Sequence, residues 1–273
     1  MSPCHRLLST CGIFLCLLAT WPTNCLAFDD EAERQDSGGA ERILQMFVED
    51  FRADRFAAMP RTFGINVPGH GQWTVDVAGK KTGDQWGVSL RKGLPSEATF
   101  VYRVEFETLR AIDAGKMNAM TAQGKAFKDD YTPMSVTHMK GYEPTLAEVG
   151  EINPFSFHFW TRGFPEKIPF RSIRTRKAHG SQFGIFYYQP GFRSGWYRVM
   201  PGDRVHDGPR ERAMPFPMLA VATKGTTEGE IDGVRISLSA GNAVFIPPHA
   251  EHRWWNAGEE PSEAIVLMFG EGA

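Results

Sequence analysis

Two consecutive prolines limit what the last third of the chain can fold into. They interrupt the stretch "GNAVFIPPHAEHRWWN", which starts at Gly241. Proline has no backbone N–H and a fixed φ, so neither a helix nor a central strand runs through Pro247 and Pro248. Apolar and polar residues alternate on either side, which predicts short strands and places His252 and Trp254 on one face. Short strands joined by glycine and proline turns favour a small barrel or sandwich.

The spacing within this stretch resembles the second conserved motif of the cupin family. The glycine, proline, histidine and asparagine at the family's positions are Gly241, Pro247, His252 and Asn256. The only departure is His249, which stands where the family usually has glycine. The resemblance implies an all-β barrel of the double-stranded β-helix, or jelly-roll, type over residues 195–273.

Cupins that bind iron, manganese, zinc or nickel usually use two histidines and a carboxylate of a first motif, completed by the histidine of the second. In this chain Met218 stands where the carboxylate belongs, and Arg212 and Met214 replace the histidine pair. A metal requires three or four N or O ligands, so we expect no bound metal and no other cofactor. A divalent metal held by His252, His206 and His249 is the alternative. Further candidate substitutes for the absent ligands are Asp207 and Glu211.

If the alternating face points into the barrel, it forms a ligand pocket. A lone neutral imidazole, with an ordinary pKa of about 6.5, can orient a bound molecule without a metal. The predicted pocket residues are His252, Trp254, Asn256, His206 and Met218. His249 is predicted to lie at the surface of the turn.

The first half of the chain mixes helical and strand patterns. Apolar residues from Ile43 to Phe51 recur at the spacing of one helical face. A hairpin is predicted at residues 73–90, followed by a strand at residues 100–104. A short helix then ends near Gly115, a residue suited to the left-handed position after a helix.

This order of elements, with its Ala-Gly-Lys and Gln-Gly-Lys steps, resembles the sterol carrier protein 2-like (SCP2) domain. The resemblance implies an α+β domain over residues 40–142, whose mixed sheet and helices enclose an apolar tunnel for a fatty or sterol-like ligand. The side chains that we expect to line the tunnel are Phe47, Phe51, Trp73, Trp86, Met117 and Met120. The alternative is that these side chains fill a solid core.

Residues 143–194 connect the two predicted domains. The aromatic runs at residues 155–160 and 183–188 predict short strands packed on the barrel. Both runs are also candidates for a dimer face, since cupin barrels often pair. The basic side chains of Arg171, Arg174, Arg176 and Lys177 predict a solvated strand face or charges that cross a domain interface. An anionic partner such as a lipid headgroup is the alternative.

The first 27 residues have the pattern of an export signal. Arg6 is their only full charge, residues 7–19 are apolar, and small residues precede the predicted cleavage after Ala27. We expect an exported protein, periplasmic or secreted, with no stable membrane span after cleavage; an uncleaved anchor is the alternative. All four cysteines lie in this segment, so the cleaved protein would have no disulfide and no thiolate metal site.

Charge and domain order then favour one class of function. The formal charge of −2 argues against nucleic acid as a partner. We expect two domains, α+β followed by an all-β barrel, that bind a small hydrophobic molecule, lipid- or sterol-like, outside the cytoplasm. No catalytic residue is predicted. Two alternatives are a metal-dependent cupin enzyme, such as an isomerase or oxygenase, and an interaction module that forms a homodimer through the cupin domain.

Overall fold

The structure is a computed structural model that describes residues 29–125, 127, 129–162, 167–209, 211 and 213–273. The predicted export signal at residues 1–27 lies outside the described residues, as does Arg212. Among the residues that are described, no helix is both long enough and apolar enough to cross a membrane.

The first lobe, residues 29–162, is a mixed sheet covered by helices. Its elements are α1 (Asp29–Phe51), β1 (Arg61–Val67), β2 (Gly71–Thr82), β3 (Gln85–Lys92), β4 (Phe100–Val104), α2 (Phe106–Asp113), α3 (Ala119–Gln123), β5 (Met134–His138) and α4 (Leu146–Phe159), with a short 3-10 helix at Arg55–Ala58. The strand order is β3-β2-β1-β4-β5, and the central pair, β1 and β4, is parallel. The predicted helix, hairpin, strand and short helix are confirmed, while β1 and β5 are additional strands.

Aromatic side chains pack tightly between α1, α4 and the sheet. Phe47 and Phe51 of α1 are almost fully buried. The Phe51 ring meets those of Phe155 and Phe159 edge-on, with ring centroids 5.3 and 5.4 Å apart. Edge-to-face contacts at these distances are the favoured geometry for aromatic pairs. This part of the first lobe is therefore a packed core.

Residues 155–160 lie in and just after α4, so the predicted strand there is wrong. The helix begins with a capping box: the Thr145 side chain accepts from the Glu148 N–H, and the Glu148 side chain accepts from the Thr145 N–H. Phe155 and Phe159 are one helical turn apart, and both are fully buried. The rings of Phe155 and Phe159 thus pack inside the first lobe, and the dimer face stays a prediction.

The barrel, residues 167–273, consists of two sheets. Its strands are β6 (Arg176–Ala178), β7 (Ser181–Gln189), β8 (Phe192–Val199), β9 (Arg204–Val205), β10 (Met218–Lys224), β11 (Thr226–Ile231), β12 (Val234–Ser239), β13 (Ala243–Ile246), β14 (His252–Trp255) and β15 (Ser262–Phe269). One sheet has the order β13-β10-β15-β8-β7-β6 and the other β12-β11-β14-β9. The predicted strand at residues 183–188 is confirmed in β7, with Phe183 buried. Residues 143–194 thus divide between the lobes, since α4 packs in the first and β6 and β7 extend a barrel sheet.

Polar contacts join the two lobes at α3 and β7. The Asn118 side chain accepts from Thr121 N at 2.8 Å, capping α3, and donates to Ile185 O of β7 at 2.5 Å. Ile185 N in turn donates to the Thr121 hydroxyl at 2.7 Å. The Arg176 guanidinium donates to backbone oxygens of Gly124 and of the first-lobe residue Tyr131. Arg176 is therefore a cation that crosses between the lobes, one of the two roles predicted for the basic cluster.

Candidate functional site

A large cavity lies between the first lobe and the barrel and extends into the barrel. Its volume is about 860 Å³, and most of its wall is apolar. The first lobe contributes residues from α3, β5 and α4, including Met120, Val136 and Ile152. Lys125 and His138 also line the cavity and are exposed, so it opens to solvent on the side of the first lobe.

Three histidines from separate parts of the barrel meet in the wall of this cavity. His252 begins β14, His206 follows β9, and His179 lies in the turn between β6 and β7. The ring centroids of His206 and His252 are 4.6 Å apart, and those of His179 and His206 are 4.9 Å apart. Both pairs are edge-on. We call His179, His206 and His252 the histidine row.

Local backbone geometry brings the row together. His179 and Gly180 both have positive φ, at 51° and 85°, and the Ala178↔Ser181 pair closes the hairpin around them. This is the pattern of a type I′ turn, which matches the twist of the adjoining strands. The turn lies against β9, because His206 N donates to His179 O at 3.1 Å. His206 itself has a φ of 57°, which turns the chain out of β9.

Burial keeps the histidine row neutral. The pKa of His206 is lowered to about 2, mainly by burial and also by the neighbouring His252 and His179. Burial is also the main cause of the lowered pKa of His252. It lowers the pKa of His179 as well, and the carboxylate of Glu211 partly opposes that shift. Charging one ring in this apolar wall is unfavourable, and charging two adjacent rings is more so. The row therefore presents neutral imidazoles at neutral pH.

Several ring nitrogens of the row are buried without a hydrogen-bond partner. They are Nδ1 of His179, Nδ1 of His206 and Nε2 of His252. The other nitrogen of His252 is occupied, since Nδ1 bonds Ala250 O at 2.9 Å. Buried polar atoms are normally paired, so unpaired ones at a cavity wall mark a place where a ligand can bind.

The structure places four of the five predicted pocket residues in the cavity wall: His252, Trp254, His206 and Met218. Asn256 has a different role. Its side chain donates to Val199 O and Glu260 O and accepts from Gly258 N, so it fixes the turn after β14. His249 is exposed on its turn with a φ of 63°.

Of the six residues predicted to line a lipid tunnel, Met120 lines this cavity. Phe47, Phe51 and Trp73 are buried in the first-lobe core, and Trp86 and Met117 pack against it. The large cavity thus lies beside the first lobe rather than inside its aromatic core, because α1 and α4 fill the space over the sheet. His179 was absent from the predicted set, and its only sequence signal is a His-Gly pair suited to a hairpin turn.

The cupin resemblance implies a bound metal, so we ask whether the side chains at the cavity could coordinate one. Neutral imidazoles are good ligands for zinc, nickel, copper and iron. In the part of the chain that is described, however, no group of three or more His, Cys, Asp or Glu side chains is arranged to hold an ion. Glu211 Oε1 lies 3.8 Å from His179 Nδ1, and Met218 occupies the wall where the family has a carboxylate. As placed, the residues do not fit a metal.

Comparisons with known proteins concern the barrel. Residues 218–268 match the family model described as "Cupin domain". Among solved structures, the chain resembles a Cupin 2 conserved barrel domain protein from Salinispora arenicola, with 22% identity, a TM-score of 0.34, and coverage of 38% of this chain and 88% of that one. It also resembles the Cupin_2 domain of an XRE family transcriptional regulator from Enterobacter cloacae, with 18% identity, a TM-score of 0.30, and coverage of 33% and 97%.

A third similar structure is a sugar phosphate isomerase of the cupin superfamily from Silicibacter pomeroyi, with 15% identity, a TM-score of 0.29, and coverage of 33% of this chain and 60% of that one. No curated protein matches the chain. Nothing in these matches bears on the sterol carrier resemblance of the first lobe, which stays a prediction. The family match runs from β10 to β15 and includes His252. Residues 218–268 are therefore a cupin domain.

Proposed function

We propose that the chain is an exported protein that binds a small, largely apolar molecule, of fatty-acid or sterol size, in the cavity shared by the first lobe and the barrel. The cavity is the observation that carries the proposal. Its volume of about 860 Å³ lies within the roughly 300–1,000 Å³ range of small-molecule sites. Its apolar wall with a few grouped polar atoms is also typical of such sites.

Apolar side chains from both sheets and from the first lobe supply the driving force for binding. Val266 and Leu238 line the cavity from the two barrel sheets, and Ile152 lines it from α4. Transfer of apolar ligand surface from water to such a wall stabilises a complex by about 25 cal/mol per Å². Polar groups confined to one part of the wall fix the orientation of the ligand.

A cavity-filling variant tests this proposal. Ala220 is buried on β10 and lines the cavity, so Ala220→Phe places a ring in the ligand space. Ala243 is exposed on the neighbouring strand β13, which makes Ala243→Phe the matched control. The measurement is fluorescence titration with N-phenyl-1-naphthylamine, followed by competition with dodecanoate and cholesterol.

We expect the wild-type protein to bind the dye with a Kd of about 1 μM, equivalent to about 8 kcal/mol. Ala220→Phe should weaken binding at least tenfold, and Ala243→Phe should not. A wild-type protein that binds neither the dye nor the lipids would contradict the proposal. So would unchanged affinity in a folded Ala220→Phe variant.

A metal-dependent enzyme is the second candidate, and the histidine row is the observation that favours it. Side-chain movements that brought the three unpaired nitrogens of His179, His206 and His252 around one point would supply an ion with three donors. Elemental analysis of the purified protein tests this candidate. Stoichiometric zinc, nickel, manganese or iron that is lost in His252→Ala would support it, and metal-free protein that takes up none of these ions would exclude it.

A further inference from the structure

One ring atom of His252, at the cavity wall, has no hydrogen-bond partner. The His252 side chain lines the cavity, and the residue is only 2% exposed. Its Nε2 atom is buried and has no hydrogen-bond partner. An imidazole nitrogen in this position is either a donor or an acceptor, and the two alternatives select different ligands.

The hydrogen bond of the other ring nitrogen shows that Nε2 is an acceptor. His252 Nδ1 lies 2.9 Å from Ala250 O, and a carbonyl oxygen only accepts, so Nδ1 carries the hydrogen. The ring is neutral, because burial is the main cause that lowers its pKa. A neutral imidazole has one N–H. Nε2 therefore has a lone pair that no hydrogen-bond donor of the described residues satisfies, on a ring that lines an apolar cavity.

We propose that His252 Nε2 accepts a hydrogen bond from a hydroxyl group of the bound molecule, so that the ligand is an apolar alcohol or phenol. This inference rests on the proposed function, that the cavity binds a small apolar molecule. The hydroxyl supplies the hydrogen that the lone pair lacks, and the rest of the ligand contacts the apolar wall.

The lone pair of Nε2 and the lack of an acidic side chain among the described residues of the wall disfavour other ligand groups beside His252. A carboxylate has only lone pairs at neutral pH and would be repelled by that of Nε2. An ammonium group would have to give up its hydration without a counter-charge, since no Asp or Glu is among the described residues that line the cavity. The charged residues in the wall are the cations Lys125 and Arg193, which attract an anionic group but donate no hydrogen to Nε2. At Nε2 itself, a neutral donor is the group that fits.

His206 adds to this polar side of the cavity. Its ring is 4.6 Å from that of His252, and its Nδ1 is also buried without a partner. A hydroxyl both donates and accepts, so the same group can interact with both rings.

Three ligands of one shape test the inference at pH 7 by equilibrium dialysis: 2-naphthol, 2-methoxynaphthalene and naphthalene. They share an apolar ring system, but only the first can donate a hydrogen bond. The wild-type protein should bind 2-naphthol roughly tenfold more tightly than the methoxy compound, the factor expected for one buried hydrogen bond. In His252→Phe, which keeps a ring but removes the lone pair, this ratio should fall to about one.

His249 provides the matched control, since it is a histidine on the same turn but exposed. Its left-handed backbone tolerates asparagine, and His249→Asn should retain the tenfold preference. A second measurement avoids any variant: in protein with ¹⁵N-labelled histidine, 2-naphthol should shift the unprotonated Nε2 resonance of His252, and 2-methoxynaphthalene should not.

Each result has a distinct meaning. Equal wild-type affinities for the three ligands would overturn the hydrogen-bond inference and leave cavity binding intact. No binding of any of them would overturn the proposed function as well. A preference that EDTA abolishes and zinc restores would also overturn the inference, because the ligand oxygen would then bind a metal rather than the imidazole.

Discussion

Gly180 occupies a backbone position that a larger residue cannot take without moving β9. Its φ is 85°, and an added Cβ would lie 1.8 Å from Arg204 O. Real Cβ atoms do not approach a backbone oxygen so closely, so the hairpin turn and β9 would have to separate. That separation would also pull His179 away from His206, whose backbone N–H donates to His179 O.

We expect Gly180→Ala to lower the free energy of unfolding by about 3 kcal/mol or more, because overpacking adds to the cost of a left-handed alanine. Gly202→Ala is the control: Gly202 has a similar φ of 79° but no atom within 4 Å of an added Cβ, so its cost should be only about 1–2 kcal/mol. Urea denaturation measures both. Equal losses in the two variants would show that the close contact with Arg204 is unimportant.

The histidine row makes stability depend on pH. The folded-state pKa of His206 is lowered to about 2, mainly by burial, whereas in the unfolded chain it is about 6.5. Below pH 6.5 the unfolded state therefore binds a proton that the folded state does not. Stability should fall as pH falls from 6.5 toward 2, and above pH 6.5 this group should have no effect.

Replacing His206 should reduce that dependence. Between pH 6 and pH 4, His206→Asn should decrease the slope of unfolding free energy against pH by about 1.4 kcal/mol per unit, the linkage value for one proton. Asparagine tolerates the positive φ of this position. His249→Asn removes an exposed histidine at a similar left-handed position and is the matched control. Identical slopes in the wild-type and His206→Asn proteins would contradict a neutral His206.

The sequence predicts some of the residues that line the cavity. Motif spacing and strand alternation predict His252 and Trp254 on one face, and both line the cavity. The same signals do not predict His179, because its contact with His206 depends on the β6–β7 hairpin packing against β9. Such contacts are set by tertiary packing and have no periodic signal in the local sequence.

The elements were predicted well where apolar periodicity was clear and poorly where composition suggested the wrong type. The hairpin β2–β3 and strand β12 follow the alternating pattern. Residues 155–160 are rich in aromatic side chains, which favours a strand by propensity, yet they belong mainly to α4. The signals for the helix were the Thr145–Glu148 capping box and the apolar spacing of Ile152, Phe155 and Phe159.

The short helix α3 is stabilised largely by its contacts with β7. Asn118 both caps the helix and donates to Ile185 O. We expect Asn118→Ala to lower the free energy of unfolding by about 2–3 kcal/mol, because a cap is lost and a carbonyl loses its partner. Asn242→Ala removes a single exposed hydrogen bond to Ser239 O and should cost under about 0.5 kcal/mol. Similar losses in the two variants, measured by urea denaturation, would argue against this contact.

In the whole molecule, Arg176 holds the lobes in contact. Its guanidinium donates to carbonyls at the end of α3 and to Tyr131 O. Arg176→Met keeps most of the apolar stem but leaves these carbonyls unpaired, so we expect a loss of about 2–4 kcal/mol. Affinity for N-phenyl-1-naphthylamine should fall as well, because the cavity has walls in both lobes.

Lys177→Met is the control for Arg176→Met. Lys177 is the adjacent basic residue, is exposed, and pairs with Asp203 at 3.1 Å within the barrel. Its replacement should change stability by no more than about 0.5 kcal/mol. Thermal unfolding and dye titration of the two variants provide the comparison, and dye affinity that survives in Arg176→Met would show that the lobes need not stay together for binding.

The shared cavity has a consequence for how specificity can change. Side chains from residues 120–152 line one side of the cavity, and side chains from residues 178–268 line the other. On the proposed function, a substitution in α3 or β5 therefore alters which molecule the cavity accepts without changing any residue of the cupin domain.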